Sequence, residues 1–387
     1  MSEETKDMPK VSSDTEAPKA LNYIEKLVAE LCPDGVRYVS LGDISNIKRG
    51  KSLTKKNTLP GSVPVIAGGR APAYYHSTSN RQGPVVVVAG SGAYAGYVSY
   101  WEKDIYVSDA FSIEPKDVSM VNIKYIYYWL SSQQNKLYRL KSGSGVPHVY
   151  PRDFSKLITP LPHLTLQNKI VDILDKFTKL EAELEAELAA RRAQYEYYRN
   201  SLFENLSGGG SEILGNLVKI KNGKSYKGFN SGDIPVYGSG GIMTYVDRSA
   251  YSGPSVLIPR KGSLGNIFYV DTPFWNVDTI FYTEINREKV TPKYLYHALQ
   301  VQNLSELNTA GGVPSLTQTV LKRVRIPLPS LTEQECIVKI LDKFDALVND
   351  ISSGLPAEIE ARRKQYEYYR DRLLTFPRAS ESTEHKH

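Results

Sequence analysis

Counted in steps of four and three from Ile170, the positions Ile170, Leu174, Phe177, Glu181, Leu184, Leu188, Arg191, Tyr195, Tyr198 and Leu202 are apolar or aromatic at eight of ten places. Such a stripe predicts a helix with a coiled-coil seam. From Thr165 to Leu206 it would run about 60 Å at 1.5 Å per residue, too long for an ordinary packed element of one small domain. A second stripe runs through Ile337, Leu341, Phe344, Val348, Ile351 and Leu355, resumes at Ile359, and reaches Tyr366, Tyr369 and Leu373. Thr165 in the first arm, and Thr332 with Glu335 at capping-box spacing in the second, are the expected helix starts. Gly354 and Pro356 predict a break in the second arm, with Pro356 at the first position of a new segment. A shorter helix is expected over Leu21 to Leu31, ended by Cys32, Pro33, Asp34 and Gly35.

The two arms belong to a repeat that runs through the chain. LPHLTLQNKIVDILDKF (161–177) and LPSLTEQECIVKILDKF (328–344) agree at twelve of seventeen positions, and ARRAQYEYYR (190–199) and ARRKQYEYYR (361–370) at nine of ten. Before each arm the likeness is weaker. LGDISNIKRGKSL from Leu41 aligns with LGNLVKIKNGKSY from Leu214, PVIAGG from Pro64 with PVYGSG from Pro235, and GPVVVVAGSG from Gly83 with GPSVLIPRKG from Gly253. KYIYYWL from Lys124 parallels KYLYHAL from Lys293. Similar scaffolds with diverged loop tips are what two related binding domains for different targets would show.

Charge follows the same division. Residues 33–158 hold 16 Lys and Arg against 8 Asp and Glu, and residues 212–327 hold 13 against 8, so that two basic blocks alternate with mildly acidic connectors. Two polyanion-binding surfaces are one reading; basic residues solvating two domains are the other. No apolar run approaches a membrane span, and the polar first twenty residues lack the apolar core of a signal peptide. Two cysteines, Cys32 and Cys336, are too few for a disulfide framework and fit a reducing cytoplasm.

Several apparent motifs fail. GKS at Gly50 and Gly223 lacks the glycine that a phosphate loop needs five positions earlier, where Ser45 and Val218 stand. GSGAYAG from Gly90 misses the dinucleotide fingerprint by one residue, and its counterpart RKGSLGN loses it; GKS and GSGAYAG alike read as tight turns between strands. No histidine pair has zinc spacing, and no nucleophile elbow, amino-methyltransferase motif or nuclease carboxylate cluster is present.

Two diverged α/β domains, each followed by an Ile-Pro-Leu-Pro-like stretch, a Leu-Thr-x-Gln helix start and a helix ending in Gln-Tyr-Glu-Tyr-Tyr-Arg, resemble the DNA-specificity subunit of a type I restriction-modification system over about Leu21 to Phe376. The resemblance implies an α+β chain in which two α/β target recognition domains are separated by long antiparallel coiled-coil helices with an internal pseudo-twofold repeat. Its segments would be a tail (1–19), an N-terminal helix (20–32), a first recognition domain (33–160), a central arm (161–206), a linker (207–211), a second recognition domain (212–327), a C-terminal arm (328–376) and a tail (377–387). Each recognition domain would read half of a bipartite, asymmetric double-stranded DNA site. The helices would act as spacer and dock two methyltransferase subunits, with restriction motor-nuclease subunits joining. The chain itself would hold no cofactor and no active site: S-adenosylmethionine belongs to the methyltransferase, ATP and Mg to the restriction subunit. The four extra residues in the second arm leave the spacer length open.

Phosphate contacts are expected from Lys48, Arg49, Lys51, Lys55 and Lys56 in the first domain and Lys221, Lys224 and Lys227 in the second. Base reading is expected where the copies diverge: Arg70, Tyr74, Tyr75, Ser91, Tyr94 and His148 against Ser239, Tyr245, Arg260, Lys261, Ser263 and Thr317. Arg191 and Arg362 fall on the seams and need partners there. Glu196, Arg199, Glu367 and Arg370, expected to face away from the seams, are the candidates for docking a partner protein. The competing function is a coiled-coil scaffold with two nucleic-acid-binding domains outside restriction-modification, and the competing reading of the arms, separately, is pairing between chains.

Overall fold

The computed structural model describes residues 16–143, 145–206, 210–308, 312–349 and 354–379. They fall into two units, one made of the chain up to Glu183 and from Ile359 onward, the other of Leu184–Glu358. Each unit thus combines an expected recognition domain with helical segments from both arms.

The first unit opens with α1 (Glu16–Leu31), longer than its apolar pattern indicated. Gly35, at φ 91°, turns the chain out of it into β1 (Arg37–Ser40), α2 (Leu41–Ile44) and β2 (Ser45–Arg49). The strands β3 (Val63–Ile66), β4 (Tyr74–His76), β5 (Val85–Ala89), β6 (Val98–Trp101), β7 (Tyr106–Val107) and β8 (Ala110–Pro115) follow. Helices α3 (Ile123–Ser132), α4 (Gln134–Tyr138) and α5 (Pro151–Ser155) then lead through β9 (Ile158–Leu161) into α6 (Leu164–Leu206). Strands pair in the orders β2-β8-β5-β6, β4-β3-β7 and β1-β9, all antiparallel except β3 with β7.

The second unit repeats the plan. It contains β10 (Ser211–Ile213), α7 (Leu214–Leu217), β11 (Val218–Asn222), β12 (Ile234–Gly238), β13 (Gly241–Val246), β14 (Ser255–Pro259), β15 (Phe268–Val270), β16 (Trp275–Asn276) and β17 (Ile280–Ile285). Helices α8 (Pro292–Val301) and α9 (Gln318–Lys322), strand β18 (Arg325–Pro327), and helices α10 (Leu331–Asn349) and α11 (Leu355–Leu373) complete the α-helices and strands among the described residues. Its sheets run β11-β17-β14-β15, β13-β12-β16 and β10-β18, again with one parallel pair, β12 with β16. Matched strands occupy matched places in every sheet.

An unbroken apolar strand makes sense only if both its faces are covered. In β5, alternation sends Val86 and Val88 into the core shared with α3, α6 and α11, while Val85 and Val87 enter a smaller cluster with Ile66, Ile105 and Val107. In β14, Val256 and Ile258 join the helical core of the second unit and Leu257 joins Phe274 and Ile280 on the other face. The GKS glycines are explained by close approach rather than by a tight turn. A Cβ on Gly50 would lie 2.1 Å from the Ser108 carbonyl oxygen, and one on Gly223 2.0 Å from that of Val277. The turn between β5 and β6 is as expected, with Gly92 and Gly96 at φ 82° and 87°.

Within the first unit α6 and α11 run antiparallel: Phe177 faces Tyr369 at 5.6 Å and Tyr366 at 6.4 Å between ring centroids, and Glu181 pairs with Arg363 at 2.5 Å. Within the second, Tyr195 and Tyr198 of α6 face Phe344 of α10 at 6.5 and 5.8 Å. The seam therefore packs as its spacing predicts. Arg191 finds local partners in Gln194 at 3.1 Å and Glu187 at 3.4 Å, and Arg362 reaches Gln365 at 3.0 Å. Both helix starts move off the expected threonines. The α6 cap is His163, whose carbonyl accepts from Leu166 and Gln167, and the capping box of α10 is Ser330 with Glu333. The hydrogen bonds from Ser330 also hold the Glu333 carboxyl below its usual range. Pro356 stands second in α11 rather than first, while residues 350–353 of the expected break lie outside the described residues. So do residues 1–15, 207–209 and 380–387 of the expected tails and linker; Pro377 to Ala379 are bonded to Val36.

The glutamine of each Leu-Thr-x-Gln start ties its helix to the scaffold. Gln167, fully buried, accepts from the Asn122 N–H at 2.9 Å and donates to the Met120 and Pro162 carbonyls, both at 2.9 Å. Gln334 accepts from the Thr291 N–H at 2.8 Å and donates to the carbonyls of Lys289 and Pro329 at 3.1 and 3.0 Å. About two turns further along each helix an aspartate continues the tie. Asp175 receives Lys124 at 2.9 Å and the Tyr128 hydroxyl at 2.5 Å; Asp342 receives Lys293 at 2.5 Å and the His297 ring at 3.3 Å.

Candidate nucleic-acid interface

Three loops that are far apart in sequence meet at one corner of the first unit. They are the β3–β4 loop carrying Arg70, the β5–β6 turn carrying Ser91 and Tyr94, and the loop after α4 carrying His148. A Cβ on Gly68 would touch the Ser91 carbonyl at 2.5 Å, Ser91 bridges to His148, and Gly92 donates to the Pro147 carbonyl at 2.9 Å. The Arg70 guanidinium lies over the Tyr94 ring at 4.8 Å and the Tyr97 ring at 5.4 Å. His148 stacks on Tyr150, and Tyr150 also carries Arg49 at 5.9 Å and Arg152 at 5.3 Å. Rings paired with cations in this way are held in place while their edges stay open to a ligand.

The same three loops meet in the second unit with other residues. Asn266 donates to the Ser239 carbonyl at 3.1 Å, Gly262 to that of Pro314 at 3.0 Å, and Lys261 bridges to Ser315. Arg260 donates to the Asp278 carbonyl at 3.4 Å and lies over Phe281 at 5.8 Å. Ser263 is exposed beside them, and Tyr245, half exposed, projects from β13 as Tyr75 does from β4.

Among the expected readers, three have hydroxyls already committed. The Tyr74 hydroxyl donates to the Leu53 carbonyl, that of Ser91 to Asp109, and that of Thr317 caps α9 by accepting from the Val320 N–H at 3.3 Å. The cations also divide. Lys48 pairs with Glu114 at 3.0 Å, and its counterpart Lys221 pairs with Glu284 at 3.4 Å, so both are partly neutralised. Lys261 lies 3.7 Å from Asp278. Lys51, Lys55, Lys56, Lys224 and Lys227 are exposed and have no carboxylate partner among the described residues.

Two of the four docking candidates do not face away from their helices' packed side. Arg199 lies over Tyr195 at 5.3 Å and donates to Gln300 at 3.2 Å, and Arg370 lies over Tyr366 at 5.6 Å and binds Asp371 at 2.7 Å. Each arginine turns onto the seam tyrosine one helical turn before it. Glu196 and Glu367 are exposed, and so are Tyr197 and Tyr368, at 68% and 55%, which the sequence reading passed over. Also passed over were Tyr97, Tyr150 and Arg152. The signal for them was present, since Tyr97 and Tyr150 stand on loops already singled out for divergence and Arg152 opens α5 directly after the second of these.

A family model described as the type I restriction modification DNA specificity domain matches residues 33–190 and again 213–361. The chain is 29% identical to the type I restriction enzyme EcoR124I/EcoR124II specificity subunit of Escherichia coli, across 92% of this chain and 98% of that one. It is 28% identical, with the same two coverages, to a putative type I restriction enzyme specificity subunit of Haemophilus influenzae. A crystal structure of the type I restriction-modification S subunit from M. genitalium shares the fold with a TM-score of 0.61 at 21% identity, covering 88% of this chain and 96% of that one.

Proposed function

The chain belongs to the type I restriction modification DNA specificity family, and from that premise we propose that its two units read the two halves of one interrupted DNA site. It is a non-catalytic specificity subunit. What supports the finer reading is the pair of loop corners: matched scaffolds present different cations and aromatic rings at the same place. A shared scaffold fixes how each unit sits on a duplex, and diverged side chains at one corner let the two units prefer different bases.

Phosphate affinity in this reading falls to Lys51, Lys55 and Lys56 in the first unit and Lys224 and Lys227 in the second, with Lys48, Arg49 and Lys221 contributing less because they are paired or stacked. Base edges are read by Arg70, Tyr75, Tyr94 and His148 in the first and by Ser239, Tyr245, Arg260, Lys261 and Ser263 in the second. Two methyltransferase subunits dock on the duplicated helical motif through Glu196 and Glu367, beside Tyr197 and Tyr368. They bring S-adenosylmethionine, and motor-nuclease subunits bring ATP and Mg. The assembly works on cytoplasmic DNA; no helix among the described residues is long and apolar enough to cross a membrane.

The test is to express the chain with the methyltransferase subunits of its own system and map methylated adenines across random-sequence DNA. One asymmetric site with two specified parts and an unspecified gap is expected. Methylation without sequence preference, or a single uninterrupted site, would overturn the reading.

A further inference from the structure

Aligned over the two repeats, the corner has exchanged its arginine between loops. Arg70, after β3, stands where the second unit has Gly241, and Arg260, after β14, stands where the first unit has Gly90. The two loops touch in both units, through Gly68 and Ser91 in one and Ser239 and Gly262 in the other. From this pair of loops each unit therefore supplies one guanidinium, but from opposite sides.

Their settings differ. Arg260 is half-buried and bonded to the Asp278 carbonyl, beside the Lys261–Asp278 pair. Arg70 is exposed, has no carboxylate partner among the described residues, and lies against two tyrosine rings. Stacking fixes the plane of a guanidinium without occupying its N–H groups, which stay available in a fork. A planar fork with free donors matches the paired acceptors O6 and N7 on the major-groove edge of guanine. Phosphate alone would not need the plane fixed, and the exposed Lys51, Lys55 and Lys56 of the same unit already supply unpaired charge.

Resting on the function proposed above, we infer that Arg70 is a specificity-determining residue: it reads a guanine in the half-site of the first unit, and Tyr94 and Tyr97 hold its fork for that purpose. Gly241 leaves the second unit without this contact, so the two half-sites differ at the corresponding base pair.

The full chain, assembled with its methyltransferase subunits, is tested on random-sequence DNA as wild type, Arg70→Ala, Arg70→Lys and Arg260→Ala. Arg70→Ala is expected to lose discrimination at one G·C pair of one half-site by about tenfold or more, with the other half-site unchanged. Arg70→Lys keeps the charge and loses the fork, and is expected to behave like Arg70→Ala; Arg260→Ala alters only the other half-site. Replacing that guanine with 7-deazaguanine should weaken the wild type and leave Arg70→Ala unaffected. Rescue by Arg70→Lys, an even loss of affinity across all sequences, or an unchanged site would overturn the assignment while leaving the two-part function standing. A wild type with no two-part site overturns the function first.

Discussion

At matched places in the two units, Lys124, Tyr128 and Asp175 stand against Lys293, His297 and Asp342, and the single exchange of tyrosine for histidine changes how each helix tie responds to pH. In the first unit Tyr128 donates one hydrogen bond, and burial with the neighbouring Asp175 pushes its pKa far above the usual 10.0. In the second, the buried His297 ring has two partners at 3.3 Å, the Tyr195 hydroxyl at Nδ1 and Asp342 at Nε2. Since the carboxylate only accepts, the neutral ring donates through Nε2 and accepts from Tyr195 through Nδ1. Burial lowers the His297 pKa below 6.5; Asp342 and Asp345 oppose this in part, and Arg199 adds to it. The comparison teaches that a repeat can keep a contact's geometry while changing its chemistry.

The largest effect should come from what the units share. Replacing Gln167 or Gln334 with Leu removes the buried amide that satisfies one backbone N–H and two carbonyls, a loss of about 3 kcal/mol. Hydrogen exchange should show the loosening in the first unit for Gln167→Leu and in the second for Gln334→Leu. A loss below about 1 kcal/mol for either would mean that the glutamines fill space rather than tie the helices.

The next effect separates the units. His297 is less basic folded than unfolded, so the unfolded chain takes up the extra proton. Its contribution to stability is full above pH 6.5 and is lost as the pH falls through the lowered folded value. Tyr128, with a raised pKa, contributes fully below pH 10.0 and loses its contribution only above that. Thermal unfolding between pH 7 and pH 5 should therefore show an acid-sensitive component that His297→Tyr removes and Tyr128→His introduces in the first unit. Equal acid sensitivity in wild type and His297→Tyr would sink the assignment.

The smallest effect concerns paired against unpaired charge. With Glu114 beside Lys48 and Glu284 beside Lys221, Lys48→Ala and Lys221→Ala should change the salt dependence of DNA binding little, whereas Lys51→Ala and Lys224→Ala should each reduce the slope of log affinity against log salt by about 0.9. Four equal changes would erase the distinction.

Much of this was legible in the sequence because it is carried by local periodicity and by duplication. The seam from Ile170 to Leu202, the doubled plan, and the turn at Gly92 each follow from spacing or from a residue's own backbone preference. Helix starts were less legible: Thr165 and Thr332 have the right chemistry, but where β9 and β18 release the chain decides that His163 and Ser330 hold the cap positions. Arg199 and Arg370 were misplaced for a similar reason, since a helical wheel gives a side chain's direction and not the ring it lies down on.

The sequence by itself determined that there are two copies of one scaffold, how long the central arm is, and where the copies diverge, because those properties depend on residues near one another in the chain. Tertiary structure alone decided which diverged loops meet. Gly68 reaches Ser91, and Ser91 reaches His148, only after the sheets have paired, and no spacing along the chain encodes that closure. It also decided which cations keep their charge open: Lys48 and Lys51 look alike in sequence, and the strand pairing of β2 with β8 sets Glu114 beside only the first.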